Sequence, residues 1–500
     1  MKFATPLFLL LAISPLCTLA QEIGTPIVVS VPARNGDGLS SAELKALYEE
    51  CMNTEGWWKG LPPIADPRWR RTRWEWFRGK PTTPYYEGGG TAFIQFPSGA
   101  WLGDKFICVA PPDSMMVYAE IKSRRKKWER LVYYRDEANR DSVTRLDLTS
   151  LPLKQIPDWV YEFHNMRILT ISQTEIKHIP ERLNELDSLK ELYMDRMVYA
   201  DSLEFGRLTG ITFLSAKRNQ YQKLPWWVVK FPKLEGIDLT ENQLSHIPNK
   251  IFWLPKMRSV KMSKNPIDLE KQWLIGLRRL RNLRINQCEL TTLPSKIFRL
   301  KKLEELQLSD NQLTEIPPEI AKLENLQSLS YYKNQVSVLP PEFYQLRQLK
   351  VVDLFYNSLE RISPEIGNLD SLEILYLANN RLFDLPDEMA SLPHLKELYL
   401  HHNRLSDLPN SFSTLNRLRV FHINNNYFMD FPKEILGMEA LVDLDFSYND
   451  IMEVPMELTQ LADLKLLFLL ENEINIEGQE SASLKAALDN LKEQGVRVGY

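Results

Sequence analysis

Leu303-Glu-Glu-Leu306-Gln-Leu308-Ser-Asp-Asn311-Gln-Leu313-Thr-Glu-Ile316-Pro317 reads as a short strand, an exit turn and the start of a return segment. Successive strand side chains point to opposite faces, so Leu306 and Leu308 enter one core while Glu305 and Gln307 point outward. Asn311 falls where the chain leaves the strand, and its buried amide can bond neighbouring backbone groups. Pro317 fixes φ and gives up only a donor that the first helical turn would not use, so a short helix over Pro318 to Leu323 is expected behind the strand.

Working outward, the same pattern recurs with a fixed period. Starting at Asn219, the asparagine position steps by 23 residues through Asn242, Asn265, Cys288, Asn311, Asn334, Asn357, Asn380, Asn403, Asn426, Asn449 and Asn472. Cysteine is small and mostly apolar, so Cys288 can fill the slot as a structural substitute; a reactive thiol is the functional alternative. Upstream the frame places Leu151, Thr174 and Met197 at this position, with one 22-residue step between Met197 and Asn219. About fifteen repeats are expected, irregular around 197–208 and 265–277. The return-segment proline recurs at 157, 180, 225, 248, 294, 340, 386, 409, 432 and 455, which explains why 31 prolines outnumber 20 glycines.

On these residues the stretch 142–476 resembles the leucine-rich-repeat family. Its Leu-Pro-x-x-Ile-x-x-Leu form is similar to the 23-residue subclass of plant Ras-group-related and Ras-pathway scaffold proteins. The resemblance implies an α/β fold, a leucine-rich-repeat solenoid or horseshoe with strands lining its concave face, and a partner bound there. It names no partner.

Both ends lack the repeat. Residues 1–20 read as a signal peptide: Lys2 starts it, Leu7 to Leu19 is mostly apolar, and Thr18-Leu19-Ala20 offers small residues at the cleavage positions. The apolar run is short for a span and carries Pro6 and Pro15, so no membrane span is expected after cleavage. Export to periplasm, cell surface or medium follows. Only Cys51, Cys108 and Cys288 would remain; a Cys51–Cys108 bridge stays open, and the odd third cysteine argues against a disulfide framework. Missing cysteine-rich caps and Asn-x-Ser/Thr sequons lean toward a bacterial source. Residues 21–141 read as a small Trp-rich α+β domain, with a helix over Ser41 to Met52 and strands over Ala92 to Phe96, Lys105 to Ala110, Met115 to Ile121 and Trp128 to Tyr134. Trp57, Trp58, Trp69, Trp74, Trp76, Trp101 and Trp128 are core packing in one reading and sugar-stacking rings in the other. Residues 477–500 read as a C-terminal cap, a helix over Ser481 to Lys492 followed by a strand at Val496 to Val498.

The outward columns sit six, four and two residues before each asparagine, with the residue just before it at the rim. In later repeats they turn aromatic: Tyr332, Phe355, Tyr356, Tyr376, Tyr399, His401, His402, His422, Tyr448 and Phe468. Aromatic enrichment of this kind marks a partner-binding patch; rings that shield the backbone and pack on one another are the plainer explanation. In earlier repeats Lys217, Arg218, Lys261, Lys264 and Arg284 form a basic strip flanked by Asp238, Glu241, Glu305 and Asp310. It is either a mixed solvated face or a lure for an acidic partner. Three histidines, with Asp445 the sole obvious addition, make a poor metal set.

A formal charge of −4 gives no general attraction to nucleic acid. No G-x-S-x-G, HExxH or phosphate loop occurs, and Gly88-Gly89-Gly90 lacks P-loop spacing. Neither catalytic residues, a metal nor a cofactor is expected. The sequence thus points to a non-catalytic protein-binding scaffold or receptor. Its alternative is a carbohydrate or cell-wall recognition protein acting through the Trp-rich domain.

Overall fold

The computed structural model describes residues 99–102, 105–108, 140–151, 153–247, 251, 253–269, 277–474 and 482–499. The chain divides into two compact units, residues 1–211 and 212–500.

In the second unit each period of the sequence becomes one coil of a solenoid. Among the described residues, thirteen three-residue strands, from Phe213–Ser215 to Arg497–Gly499, form a single parallel ladder. Equivalent residues of successive repeats stand side by side, as in Leu306 beside Leu329 and Leu329 beside Val352. Every inward column is therefore continuous. In the coil of Asn311, Leu303, Leu306, Leu308, Leu313, Ile316, Ile320 and Leu323 are all buried. Full burial of such a side chain contributes roughly 1.5–3 kcal/mol.

The return segments are 3-10 rather than α-helical. Pro318–Lys322 is representative: Ile320 N–H donates to Pro317 O at 2.9 Å, and Leu323 N–H to Ile320 O at 2.9 Å. A five-residue return within a 23-residue coil has no room for α-helical turns, and the tighter helix spans the distance in fewer residues. Pro317 lies just before the helix, extended at φ −64° and ψ 144°. Its ring sets the direction of entry instead of occupying the first helical position.

The asparagine ladder closes the coils against one another. Asn380 is typical: its Nδ2 donates to Leu377 O in its own coil and to Leu354 O in the preceding one, each at 2.9 Å, while its Oδ1 accepts Leu359 N–H at 2.9 Å. One side chain thus satisfies three backbone groups of a buried turn. Cys288 keeps part of this role, its Sγ donating to Met262 O and Asn286 O at 3.4 Å. It has no amide oxygen to offer the preceding coil, and Ile267 N–H turns instead to Asn265 O at 2.8 Å.

The residue before each asparagine adopts the left-handed region. From Arg218 to Glu471 this rim column holds φ between 52° and 57°, without one glycine. Side chains other than Gly, Asn and Asp rarely accept that geometry, so every coil except those of Asp310, Asn379 and Asn425 carries a small strain that stacking must offset.

The first unit repeats the plan with fewer polar rungs. Arg145–Asp147, Ile168–Thr170 and Glu191–Tyr193 pair in parallel. At the ladder position Thr174 donates from Oγ1 to Ile171 O at 2.7 Å, whereas Leu151 and Met197 are apolar and buried. Within the Trp-rich segment, Gly99–Leu102 pairs antiparallel with Lys105–Cys108, the latter within an expected strand. The signal segment, the Ser41 to Met52 helix, the other three expected strands and Cys51 lie outside the described residues.

At the far end the helix Ala482–Glu493 stops at Gly495, whose φ of 89° suits glycine alone. Arg497–Gly499 then adds to the ladder beside Leu466–Phe468, and Leu488, Leu491 and Val496 are buried.

Candidate partner-binding face

Parallel register converts the outward columns into rows. Four residues before the ladder position, Asp353, Tyr376, Tyr399, His422, Asp445 and Phe468 stand side by side on six successive strands. Neighbouring strands lie about 4.8 Å apart, within ring-contact range. Tyr376 and Tyr399 stack at 4.6 Å and 15°, and His422 meets Tyr399 edge-on at 5.1 Å.

A second row holds Tyr332, Phe355, Ala378 and His401. Tyr332 and Phe355 stack at 5.6 Å. Ala378 is fully buried, and Phe355 and His401 meet above its repeat at 5.4 Å. At the rim, Tyr356 packs edge-on against Phe355 at 4.6 Å, and His402 lies 5.7 Å from His401. Eight of the ten expected side chains therefore join one ring network, from Tyr332 to His422. Tyr448 and Phe468 have no ring contact with it. Tyr448 is exposed, and Phe468 is covered on one side by Gly499. Within the network the two rim residues, Tyr356 and His402, are exposed, and the six on the strand face are half-buried. That is how a solvated patch of mutually packed rings presents itself.

Carboxylates thread between the rings. Tyr399 donates its hydroxyl to Glu397 at 3.0 Å, and burial together with that carboxylate pushes the phenol well above its ordinary pKa. Burial also raises Asp353, which accepts the Ser330 hydroxyl at 2.8 Å and the Phe355 amide at 3.2 Å but no cation. Asp445 accepts the Ser447 amide at 3.0 Å. His401 is depressed to about 4 by burial, then by His402 and His422, so its imidazole is neutral at neutral pH. His422 Nε2 stands 3.3 Å from Asp443 Oδ1, near enough for attraction but without hydrogen-bond alignment. Among the described residues no three His, Cys, Asp or Glu side chains converge as a metal-binding group.

The earlier repeats are organised otherwise. Arg218 grips Glu241 through two nitrogens, and Lys264 reaches the same carboxylate at 3.3 Å. Arg218 first, and Lys264 after it, hold Glu241 down at about 2. Lys217 meets Asp238 at 3.6 Å, Arg284 meets Glu305 at 2.7 Å and Lys333 meets Asp310 at 2.9 Å. Four of the five bases of the strip, all but Lys261, are thus held in ion pairs within the chain, as on a mixed solvated face.

Cys288 is buried, and burial pushes its thiol up to about 11. The thiolate needed for reactivity is disfavoured there, so the residue acts as a rung. Three features escape a reading of the sequence: the left-handed rim column, the carboxylates Asp353 and Glu397, and Ser447. The last is only 4% exposed and its hydroxyl has no hydrogen-bond partner. The carboxylates had a readable signal, for between Val351 and Glu471 the outward columns contain no lysine or arginine. Six of the seven front tryptophans lie outside the described residues, and the carbohydrate reading lies there with them.

Residues 256–381 match the family model described as leucine-rich repeat region, and residues 370–428 match that of the leucine-rich repeat. No curated protein matches the chain. Among solved structures, a leucine-rich-repeat protein of Leptospira interrogans is 26% identical, covering 74% of this chain and 98% of its own, with a TM-score of 0.56. The ectodomain of the Arabidopsis thaliana receptor kinase GASSHO1/SCHENGEN3, solved with Casparian strip integrity factor 2, is 25% identical over 68% of this chain and 46% of its own, with a TM-score of 0.48. An internalin of Listeria monocytogenes is 18% identical over 72% and 88%, with a TM-score of 0.45. The two family models and the Leptospira structure agree with the coil described above, and neither model is that of an enzyme. Among the described residues no helix is long and apolar enough to cross a membrane.

Proposed function

We propose that this leucine-rich-repeat solenoid is a non-catalytic scaffold or receptor that holds a protein ligand on the strand face of its C-terminal half, the concave face in such solenoids. The observation that carries the reading is the continuous ring network from Tyr332 to His422, on a face whose neighbouring half pairs its own outward carboxylates. Rings already packed against one another lose little freedom when a partner arrives, so their contact area converts into affinity with a small ordering cost. Binding surfaces concentrate energy in such rigid aromatic anchors.

The test is capture of proteins from the native source by wild-type chain, by the Phe355→Ala/Tyr376→Ala/Tyr399→Ala variant and by a Lys261→Ala control. The ring variant is expected to lose a specific partner that the control retains. Each anchor residue truncated costs about 2 kcal/mol or more at a true hot spot. A folded ring variant that captures the same partner undiminished removes this face from consideration.

We also take the chain as exported and bacterial: the missing cysteine-rich caps and Asn-x-Ser/Thr sequons support the source, and the 23-residue Leu-Pro-x-x-Ile-x-x-Leu pattern supports the scaffold-type subclass. Export rests on Lys2, the apolar stretch to Leu19 and the small residues before Gln21. Sequencing the mature N-terminus from the native source is expected to begin at Gln21; a mature chain that keeps Met1 to Ala20 rejects it.

A further inference from the structure

The ring-bearing half of the face has a one-sided charge. Between Val351 and Glu471 the outward columns carry Asp353, Glu397, Asp443, Asp445 and Glu471, and neither lysine nor arginine. Lys350, Lys396, Arg419 and Lys465 stand one position further out, before their strands, where Lys396 pairs with Glu373 at 2.5 Å. Among the described residues none of these bases is ion-paired with the five carboxylates. Among the described residues the basic side chain recorded within 4 Å of any of them is the His422 imidazole, 3.3 Å from Asp443. The adjoining half carries four carboxylates in the same columns, Asp238, Glu241, Glu305 and Asp310, and every one is paired with lysine or arginine. The contrast lies between acids answered within the chain and acids that are not.

A second observation falls on the same strands. Ser447 Oγ, Asp443 Oδ1, His422 Nε2 and His401 Nδ1 are buried polar atoms without a hydrogen-bond partner in the chain. Most buried polar atoms find partners, and a cluster of exceptions on one face calls for a group from outside. Ring faces and edges of Tyr376, Tyr399 and Phe355 lie among these acids. Aromatic faces attract cations through their quadrupole, guanidinium above all because it is planar and weakly hydrated.

We propose that the ligand of this face is a peptide segment bearing arginine, its guanidinium groups lying over the Phe355, Tyr376 and Tyr399 rings and pairing with Glu397 and Asp445. The inference rests on the reading of this face as a binding surface and names the chemistry of what it binds. An acidic segment would meet five carboxylates; a purely apolar one would leave them buried and unanswered, which is costly.

The test is titration calorimetry of the full chain with acetyl-tetra-arginine amide, beside tetra-glutamate and tetra-serine peptides of the same form. Tetra-arginine is expected to bind at roughly 0.01 M salt and to weaken at least about tenfold at 0.3 M. The Glu397→Gln/Asp445→Asn variant is expected to weaken it roughly tenfold or more, and Glu305→Gln in the paired half to leave it unchanged. Circular dichroism verifies that both variants fold. Absence of tetra-arginine binding, equal binding of tetra-glutamate, or an equal loss in Glu305→Gln each overturns the proposal. If the Phe355→Ala/Tyr376→Ala/Tyr399→Ala variant loses its native partner while tetra-arginine never binds, the face remains a binding surface and the cationic ligand is wrong. If tetra-arginine binds as expected and native capture survives that ring variant, the binding reading fails instead.

Discussion

The coils around Asn242 and those around Asn380 share one backbone and present different surfaces. Both carry the same rung of asparagine hydrogen bonds, the same left-handed rim residue and a three-residue strand with its middle side chain buried. Outward, the first set shows Asp238 and Glu241 locked to Lys217, Arg218 and Lys264, and the second shows Tyr376 stacked on Tyr399 above Asp353 and Glu397. Such a solenoid separates what holds it together from what it displays. Stability is set by columns that tolerate few substitutes; recognition is set by columns that tolerate many. Binding can then change without touching the fold, provided the two sets of columns are independent.

The largest effects belong to the shared scaffold. Asn242→Ala removes donors to Ala216 O and Leu239 O and the acceptor of the Asn219 and Tyr221 amides. Asn380→Ala does the same for Leu354 O, Leu377 O and the Leu359 amide. Each unsatisfied buried group costs about 1–3 kcal/mol, so each variant is expected to lose on the order of 3 kcal/mol in chemical denaturation. Equal losses sustain the comparison. If Asn380→Ala costs far less, the ring network is stabilising its own coils and the separation breaks.

Titration divides the two halves by sign. Glu241 is depressed to about 2 in the folded chain by Arg218 and Lys264. Its contribution is therefore complete above the ordinary carboxylate value and is lost as pH falls toward 2. After discounting for its partial exposure, that is on the order of 1 kcal/mol, and Glu241→Gln should flatten this part of the acid limb. Asp353 moves the other way, raised by burial. The folded chain holds the proton more tightly than the unfolded one, so stability falls as pH rises through the folded value. Asp353→Asn, which removes the buried charge, is thus expected to raise the denaturation midpoint at neutral pH and to leave it unchanged in acid. It should also weaken tetra-arginine binding. A fall in stability accompanying the loss of binding would tie Asp353 to the scaffold rather than to the ligand.

His401 gives a finer reading of the second half. Its imidazole titrates near 4, so the unfolded chain takes up the proton first and stability declines as pH falls from about 6.5 toward 4. Proton NMR of His401 should show no charging at pH 6. A normal titration there would mean that the network is open and the ring packing looser than described.

The parts of this architecture that repeat were legible in the sequence. A 23-residue recurrence of asparagine and alternating leucines determined strand direction, core columns and ladder, because each column has a single physical solution. Ring placement followed from strand alternation, and the register then brought Tyr376 onto Tyr399 as the columns required. What stayed illegible depends on single positions. Cys288 keeps the rung but drops its acceptor, and the answer came from Ile267 N–H turning to Asn265 O. The approach of Phe355 and His401 across the repeat of buried Ala378 depends on three residues from three coils. The left-handed rim was hidden because glycine, the usual signal for positive φ, never occupies it.

That rim supplies the smallest test and the one that most directly separates scaffold from display. Glu471 holds φ 53°, Tyr448 φ 55° and Asn425 φ 56° at equivalent positions. Glycine accepts this geometry without clash, while its extra freedom in the unfolded chain offsets about 0.5–1 kcal/mol of the 1–2 kcal/mol relieved. Glu471→Gly should therefore gain a few tenths to about 1 kcal/mol, and Asn425→Gly almost nothing, since asparagine already tolerates the left-handed region. Tyr448→Gly should gain less than Glu471→Gly, because an exposed ring still loses some packing. If the second half displays its rim side chains for a partner, Tyr448→Gly and Glu471→Gly will each weaken capture while gaining stability. Strain kept at Tyr356, His402 and Tyr448 is then strain retained for binding. Should all three glycine variants gain stability and leave binding untouched, the rim belongs wholly to the scaffold, and the displayed surface is confined to the strands.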